Sequence, residues 1–399
     1  MIKNFLSFIK IKPALAVGFL FCVSSLVFGT WVAAIPTIKQ RLHFRDGSLG
    51  LSLLLSPLGA LTGVAISTTV FKRVSVGKWM LFGYSTLCLI MIIEINAPSK
   101  IVLWCCLYLF GLTSFLNGVS SNGTVNTMEK KYNRLMMSTC HGLYSLGGAA
   151  SAGLAVLFFS LGLLPGLQII VVSAGILIVL FLNRRHLLAH KEIIHSGPGL
   201  KLPSPTILGI SFICMVVFMA EGCVADWSAL YLKESLHAPK ELISLGYASF
   251  AVAMMIGRFN GDALIAKTGS KKIVITGSVI ASVGFALVVL APVVAVALAG
   301  YVCIGFGCSC IVPVLFSASA AIRGVSKVEG FAMVTTGGLI GFLAGPSLIG
   351  MISEKINLST GLSLLIILTL CAAFIAWRNK FLINRKEAVP ELAFDEQLY

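Results

Sequence analysis

Long apolar runs alternate with short polar segments over almost the entire chain. The runs cover roughly residues 14–38, 48–70, 79–97, 101–122, 138–160, 162–183, 206–232, 242–264, 273–291, 293–320, 329–352 and 358–377. A hydrocarbon core of about 30 Å needs about 20 helical residues, so each run is long enough to cross a bilayer. The pattern therefore predicts an all-α integral membrane protein with twelve transmembrane helices.

Composition agrees with this prediction, because 57% of the 399 residues are hydrophobic and only 11% are charged. The net charge of +15 would suit nucleic acid, but the lysines and arginines stand in small groups between apolar runs. There is no basic face and no nucleic-acid motif. We expect a lipid bilayer and not nucleic acid as the partner.

The eleven cysteines all lie in apolar runs, without a CxxC pair or a His/Cys cluster at metal-ligand spacing. We interpret them as small buried side chains, so we expect no metal site and no cofactor.

The basic residues set the predicted orientation. Most of them fall on one side of the predicted membrane, in the two terminal segments and in the loops after every second run. Basic side chains are translocated unfavourably and mark the cytoplasmic side. Both termini are therefore predicted to be cytoplasmic in this multi-pass protein.

The chain shows an internal repeat. A basic junction at Gly257–Lys272 has a poorer copy at Val70–Lys78, and glycines in the two halves recur at an offset of 194 residues. Six spans intervene, so the copies are parallel repeats related by an axis along the membrane normal. We predict two pseudo-symmetric six-helix bundles, at residues 1–183 and 206–380. A cytoplasmic linker, 184–205, joins them, and a flexible cytoplasmic tail covers 381–399.

The seventh run carries two acids. Counted from the start of the run, Glu221 lies about 22 Å along the helix, inside the hydrocarbon, whereas Asp226 lies near the outer end beside Trp227. An ionisable residue at the depth of Glu221 is costly unless it faces protein or water. Glu221 either exchanges a proton with the outer solvent or makes a permanent structural hydrogen bond. Asp226 either acts beside it or pairs at the surface.

Several polar or aromatic residues in the first half of the chain also allow two interpretations each. Trp31 either stacks on a ligand or anchors the helix at the outer interface. Asn117 and Asn122 face the bundle interior, where they either contact a ligand or join helices. His141 lies near the cytoplasmic start of the fifth run and either lines a solute path or ties helices together.

The two halves, each with a basic loop after its second helix, resemble the major facilitator superfamily. Its loop signature has the form G-x-x-x-D-[RK]-x-G-[RK]-[RK]. The second copy here retains Lys267, Gly269 and Lys271, but Ala266 stands at the acidic position. Within the superfamily, the segments HGLYSLGG (141–148) and AEGCVADW (220–227) are similar to YbjJ-type bacterial transporters of the inner membrane.

The resemblance implies a monomeric secondary transporter that moves a small molecule by alternating access around helices 1, 4, 7 and 10. Glu221 would carry a coupling proton, and Asp226 would lie at the periplasmic gate. The resemblance implies a cytoplasmic gate in which Arg258 pairs with Asp262 near Lys267. It also implies a substrate path lined by Trp31, Asn117, Asn122, His141, Tyr144 and Trp227.

The sequence leaves the direction of transport and the transported compound open. The chain has no ATP-binding P-loop, so an ion gradient is the expected energy source. Relatives often carry an arginine where this chain has Ala34 and an acid where it has Gly118, so the substrate path is expected to be less charged. Proton symport and proton-driven efflux of amphipathic compounds both fit, as does a receptor that does not transport. An enzyme is not expected, because no acid orients the pair His141 and Ser145.

Overall fold

The computed structural model describes residues 8–133, 136–192, 201–320, 322 and 327–382, without the side chains of residues 138, 262, 263, 320, 327 and 328. In this part of the chain, 12 helices are long and apolar enough to cross a membrane. They are α1 Lys12–Arg41, α2 Asp46–Arg73, α3 Val76–Ile95, α4 Lys100–Tyr132, α5 Met137–Ser160, α6 Pro165–Leu188, α7 Leu208–Leu230, α8 Leu245–Thr268, α9 Ser270–Val289, α10 Val294–Ser319, α11 Lys327–Lys355 and α12 Leu358–Arg378.

The twelve predicted spans are confirmed, and the largest difference lies at the end of α4. The apolar run predicts an end near residue 122, whereas the helix continues to Tyr132. Its polar residues Ser120, Ser121 and Thr124 are buried inside the protein, so polarity there does not end the helix. Asn133 ends it in a left-handed conformation, with its N–H bonded to the carbonyl of Glu129.

Two of the helices are interrupted where proline removes a backbone donor. Pro57 cannot bond the carbonyl four residues earlier, and α2 breaks between Leu53 and Leu55. Pro313 has the same effect in α10, whose two segments end at Cys308 and resume at Ile311. Each break therefore lies about one turn before its proline.

Helix packing repeats in the two halves of the chain. In the first half α1 packs on α5 and α6, α2 and α3 pack on α4, and α3 packs on α6. In the second half α7 packs on α11 and α12, α8 and α9 pack on α10, and α9 packs on α12. The two six-helix bundles are therefore pseudo-symmetric, as predicted.

Glycines at equivalent positions hold these pairs close together. A Cβ on Gly147 of α5 would overlap the carbonyl oxygen of Cys22 on α1, and a Cβ on Gly341 of α11 would overlap that of Met215 on α7. Such contacts need a residue without a side chain, as in other close-packed membrane helices. Gly111 and Gly305, which are also 194 residues apart, make the same kind of contact. Gly111 lies against the carbonyl of Ser56, and Gly305 lies against the carbonyl of Phe250.

The bundles meet through α2 against α11 and α5 against α8, which are equivalent pairs in the repeat, and through α1 against α7. We call the side where α1 begins and α12 ends the terminal side, and the opposite side the far side. The segment after α6 folds back onto the terminal side, where the carbonyls of His190 and Glu192 accept from Gly77 and Val76 at the start of α3. Burial lowers the pKa of the His190 side chain there.

Candidate functional site

A cavity of about 550 Å³ lies between the two bundles. Its lining comes from α1 to α5 in the first bundle and from α7, α8 and α11 in the second. The predicted site used helices 1, 4, 7 and 10. Three of these contribute, but α10 provides none of the lining residues that the structure describes. A volume of this size is typical of pockets for small organic molecules.

The charged part of the cavity is the pair Glu221 on α7 and Arg258 on α8. One carboxylate oxygen of Glu221 lies 3.8 Å from Nη2 of Arg258. Both side chains are only partly enclosed, with 19% and 25% of their area exposed. That distance suits an ion pair and exceeds the 2.7–3.2 Å of a hydrogen bond. The same Glu221 oxygen is itself buried and makes no hydrogen bond.

The second acid, Asp226, lies farther along α7 toward the far side and also lines the cavity. Trp31 of α1 lies next to Asp226 on the cavity wall, and Trp31 is 3% exposed. This contact joins the two bundles across the far-side end of the cavity. Trp31 is therefore enclosed inside the protein rather than lying at a lipid interface.

Hydroxyl groups line the wall formed by the first bundle. Tyr84 Oη lies 2.9 Å from Ser121 Oγ and accepts from Ser24 Oγ at 3.3 Å, which joins α3, α4 and α1. Ser25 of α1, Tyr144 of α5 and, from the second bundle, Tyr247 of α8 place further hydroxyl groups on the cavity wall. Hydroxyl groups of this kind can hydrogen-bond a ligand without adding charge.

Aromatic rings form much of the remaining wall. Phe28 stacks on Phe110 at 6.3 Å between ring centroids, and it meets Tyr247 edge-on at 6.2 Å. On the opposite wall Phe218 and Phe342 form an edge-to-face pair at 5.0 Å. Rings at these separations favour flat apolar or aromatic parts of a ligand.

The structure brings most of the predicted site residues together. Seven of them lie on the wall of the same cavity: Trp31, Asn122, His141, Tyr144, Glu221, Asp226 and Arg258. His141 also packs edge-on against Phe21 of α1, at 5.4 Å between centroids.

Other predicted site residues lie elsewhere. Asn117 is buried behind the wall and accepts a 3.1 Å hydrogen bond from Trp79 Nε1, and Trp227 is fully buried against α11 beside Gly350. Lys267 is not among the lining residues. The ion pair that the structure provides for Arg258 is with Glu221. The side chain of Asp262 lies outside the described residues.

Sequence reasoning missed the hydroxyl groups of Tyr84 and Tyr247. Each lies in a mostly apolar helix, where a tyrosine is normally interpreted as an ordinary core residue. The signal that could have found Tyr84 is its match with serines on two neighbouring helices, which becomes visible only once the helices are paired.

A cluster of charged residues that sequence reasoning also missed joins the bundles at the far side. We call Lys39, Asp46, Glu234 and Glu354 the far-side cluster. Lys39 Nζ lies 2.5 Å from Asp46 of α2 and 2.6 Å from Glu234, which follows α7. Glu354 of α11 accepts from the backbone N–H of Gly47 at 2.8 Å. The contacts of Lys39 with Glu234 and of Glu354 with Gly47 therefore join the two bundles at the far side.

Comparisons of sequence place this architecture among known proteins. A sequence model of the Major Facilitator Superfamily matches residues 210–396. The chain is 31% identical over 357 residues to an uncharacterized MFS-type transporter of Yersinia pestis, covering 88% of this chain and 92% of that protein. It is 28% identical over 386 residues to the membrane protein MosC of Rhizobium meliloti, covering 94% and 91%.

Solved structures show the same fold at low identity. The nucleoside transporter NupG superposes with a TM-score of 0.70 at 12% identity, covering 92% of this chain and 99% of that one. A bacterial homologue of the human lysosomal transporter Spinster, inward-facing and unoccupied, gives 0.71 at 15% identity, covering 93% and 97%. At these identities the likeness shows the arrangement of helices alone.

Proposed function

This chain belongs to the major facilitator superfamily, and we propose that it is a secondary active transporter driven by protons through Glu221. It is a multi-pass membrane transporter of a small-molecule substrate and not an enzyme. The bacterial inner membrane is the proposed location, and a monomer is the proposed unit of transport. Membership of the YbjJ-type subgroup stays a prediction.

The observation that carries this proposal is the position of Glu221 in the cavity between the bundles. A carboxyl group at the middle of a membrane-spanning helix is costly unless it serves a solute or ion pathway. Arg258 stabilises the ionised form of Glu221 by its nearby positive charge, and protonation of Glu221 ends that pairing. A group with two states of different charge at the substrate site links proton binding to solute binding.

Alternating access is the proposed motion, with residues 1–183 and 206–380 as the two moving bodies. The far-side cluster and the Trp31–Asp226 contact support a state that is closed on the far side. Taking the terminal side as cytoplasmic, by the distribution of basic residues, this state would open toward the cytoplasm. Opening to the other side requires the far-side cluster to separate.

The remaining lining residues have proposed roles according to their chemistry. Asn122, His141 and Tyr144 offer hydrogen bonds to the solute, and Asp226 with Trp31 forms the gate at the far side. The predicted gate on the terminal side, in which Arg258 pairs with Asp262 near Lys267, stays a proposal. Arg258 itself lines the cavity.

Proton-driven efflux of amphipathic compounds is the second candidate function, and the aromatic wall favours it. Phe28, Phe110, Phe218 and Phe342 offer apolar surface to such a cargo. A receptor would bind the same ligand without moving it. Counterflow in proteoliposomes separates the cases, because only a transporter exchanges labelled for unlabelled solute across the membrane.

Replacing Glu221 by glutamine tests the proposed coupling. Solutes selected by thermal-shift screening are added to proteoliposomes that contain a pH-sensitive dye, and proton entry is followed under an inside-negative potential. We expect Glu221→Gln to lower solute-dependent proton entry by about tenfold or more, because an amide cannot exchange the proton.

Glu94→Gln is the matched control, since Glu94 is also a buried carboxyl group in a membrane-spanning helix but does not line the cavity. It should keep the proton entry of the unchanged protein. Equal proton entry in the Glu221→Gln variant and the unchanged protein would remove Glu221 from the coupling role.

A further inference from the structure

Arg258 has far more hydrogen-bonding capacity than the protein uses. A guanidinium carries five N–H donors and a positive charge. In the described part of the chain it makes no hydrogen bond, and its ion pair with Glu221 spans 3.8 Å. Because Arg258 lines the cavity, its free donors are available to a ligand there.

The unused donors of Arg258 become important when Glu221 is protonated, as proposed above. When Glu221 takes up a proton, Arg258 keeps its charge and loses its partner inside the membrane. A charge at membrane depth whose side chain is only 25% exposed is unfavourable without a partner. An anionic group of the solute restores the pairing, and a planar guanidinium binds carboxylate or phosphate through two parallel hydrogen bonds.

Among the side chains that the structure describes, Glu221 is the one acid within ion-pair distance of Arg258. Besides Asp226, which lies on the same helix farther toward the far side, the titratable groups whose charges act on Glu221 or Arg258 are one histidine, two tyrosines and two cysteines: His141, Tyr144, Cys214, Tyr247 and Cys308. A cationic solute group would meet Arg258 at the same place and be repelled by it.

We propose that Arg258 is the binding group for an acidic function of the solute, and that Glu221 occupies this place in the empty protein. The proposal rests on the proposed function and narrows it, since the substrate would be an organic acid that enters with a proton. The aromatic and hydroxyl walls would hold the remainder of such a molecule.

Three probes of equal size test this inference: 3-phenylpropionate, 3-phenylpropanol and 3-phenylpropylamine. They share the phenyl ring that suits the aromatic wall and differ only in the acidic, neutral or basic end. The measurement is the melting temperature of the purified full-length protein in detergent at pH 5.5 and pH 8. The acid should raise it by about 2–4 °C, more at the lower pH, with little effect of the other two.

Variants of Arg258 and Glu221 test whether the shift in melting temperature depends on these two residues. Arg258→Gln should abolish the shift caused by the acid, and Arg258→Lys should keep part of it. Glu221→Gln should keep the shift and remove its pH dependence, because the amide leaves Arg258 without a partner at every pH. Arg184→Gln, at a partly exposed arginine that stacks on Phe181 and does not line the cavity, is the matched control and should behave as the unchanged protein.

An equal shift from all three probes, a shift from the amine alone, or no shift from the acid at either pH would overturn the inference. A shift from the acid that survives Arg258→Gln would do the same. This failure is distinct from failure of the proposed function, since proton entry through Glu221 is measured separately. Acid binding with normal proton entry in Glu221→Gln would keep Arg258 as the anchor and remove proton coupling.

Discussion

Two asparagines on α4 illustrate how one residue type serves two purposes. Asn117 turns away from the cavity and accepts from Trp79 Nε1, so it joins α4 to α3. Asn122 donates to the carbonyl of Gly118 on its own helix at 2.9 Å and lines the cavity. The two positions differ by five residues, which places their side chains on different faces of the helix. Asn117 is therefore structural, and Asn122 is available to a solute.

Alanine at each position separates these roles. Asn117→Ala leaves the partly buried indole N–H of Trp79 without its acceptor, which costs about 1–3 kcal/mol. We expect a lower melting temperature in detergent with little change in transport per folded molecule. Asn122→Ala should keep the melting temperature and weaken solute binding. The opposite pattern would exchange the two assignments.

The helices depend on glycine where two backbones touch. Gly147 of α5 lies against the carbonyl of Cys22 on α1, and Gly341 of α11 lies against that of Met215 on α7. Lipid provides no hydrophobic drive for helices to associate, so close backbone packing carries much of the association. The same contact in both bundles links the repeat in the sequence directly to helix packing.

Gly147→Ala and Gly153→Ala on the same helix test this packing. A Cβ at Gly147 must push α1 and α5 apart, which costs about 1–3 kcal/mol, whereas a Cβ at Gly153 meets nothing within 4 Å. The melting temperature in detergent should fall for Gly147→Ala and stay or rise for Gly153→Ala. Equal melting temperatures would contradict the close contact of α1 and α5.

For the whole molecule, the ends of α1 and α7 meet through a reciprocal contact. The offset of 194 residues makes Lys233 the counterpart of Lys39, and Glu234 the counterpart of Gln40. Lys39 contacts Glu234 at 2.6 Å, and Lys233 donates to Gln40 Oε1 at 3.2 Å. Each lysine therefore reaches the residue that follows its own counterpart, as expected for two copies facing each other across an axis.

Holding this contact closed should stop transport. A variant with Lys39→Cys and Glu234→Cys, in a background with serine at the exposed Cys105 and Cys371, is treated with a short bis-methanethiosulfonate, which links the two thiols through disulfides and releases methanesulfinate. We expect solute-dependent proton entry to fall to background, because the far side can no longer open, and a reductant to restore it. Each single cysteine variant under the same treatment is the control. Full activity of the cross-linked protein would show that these ends need not separate.

Hydropathy by itself determined the twelve helices. The glycines that recur at an offset of 194 residues determined their division into two related bundles. This succeeds because a bilayer forces every backbone group into a helix of fixed minimum length. The unusual depth of Glu221 in an apolar helix was likewise readable from its position. These features are local properties of the chain.

Only the tertiary structure decided which polar side chains share the cavity. It joined Glu221 to Arg258 and Asp226 to Trp31, and it turned Asn117 and Trp227 away from the cavity. It also brought Lys39 beside Glu234, 195 residues later in the chain. In helices that are apolar on nearly all faces, rotation about the helix axis is set by packing against neighbours. No periodicity in the sequence records it.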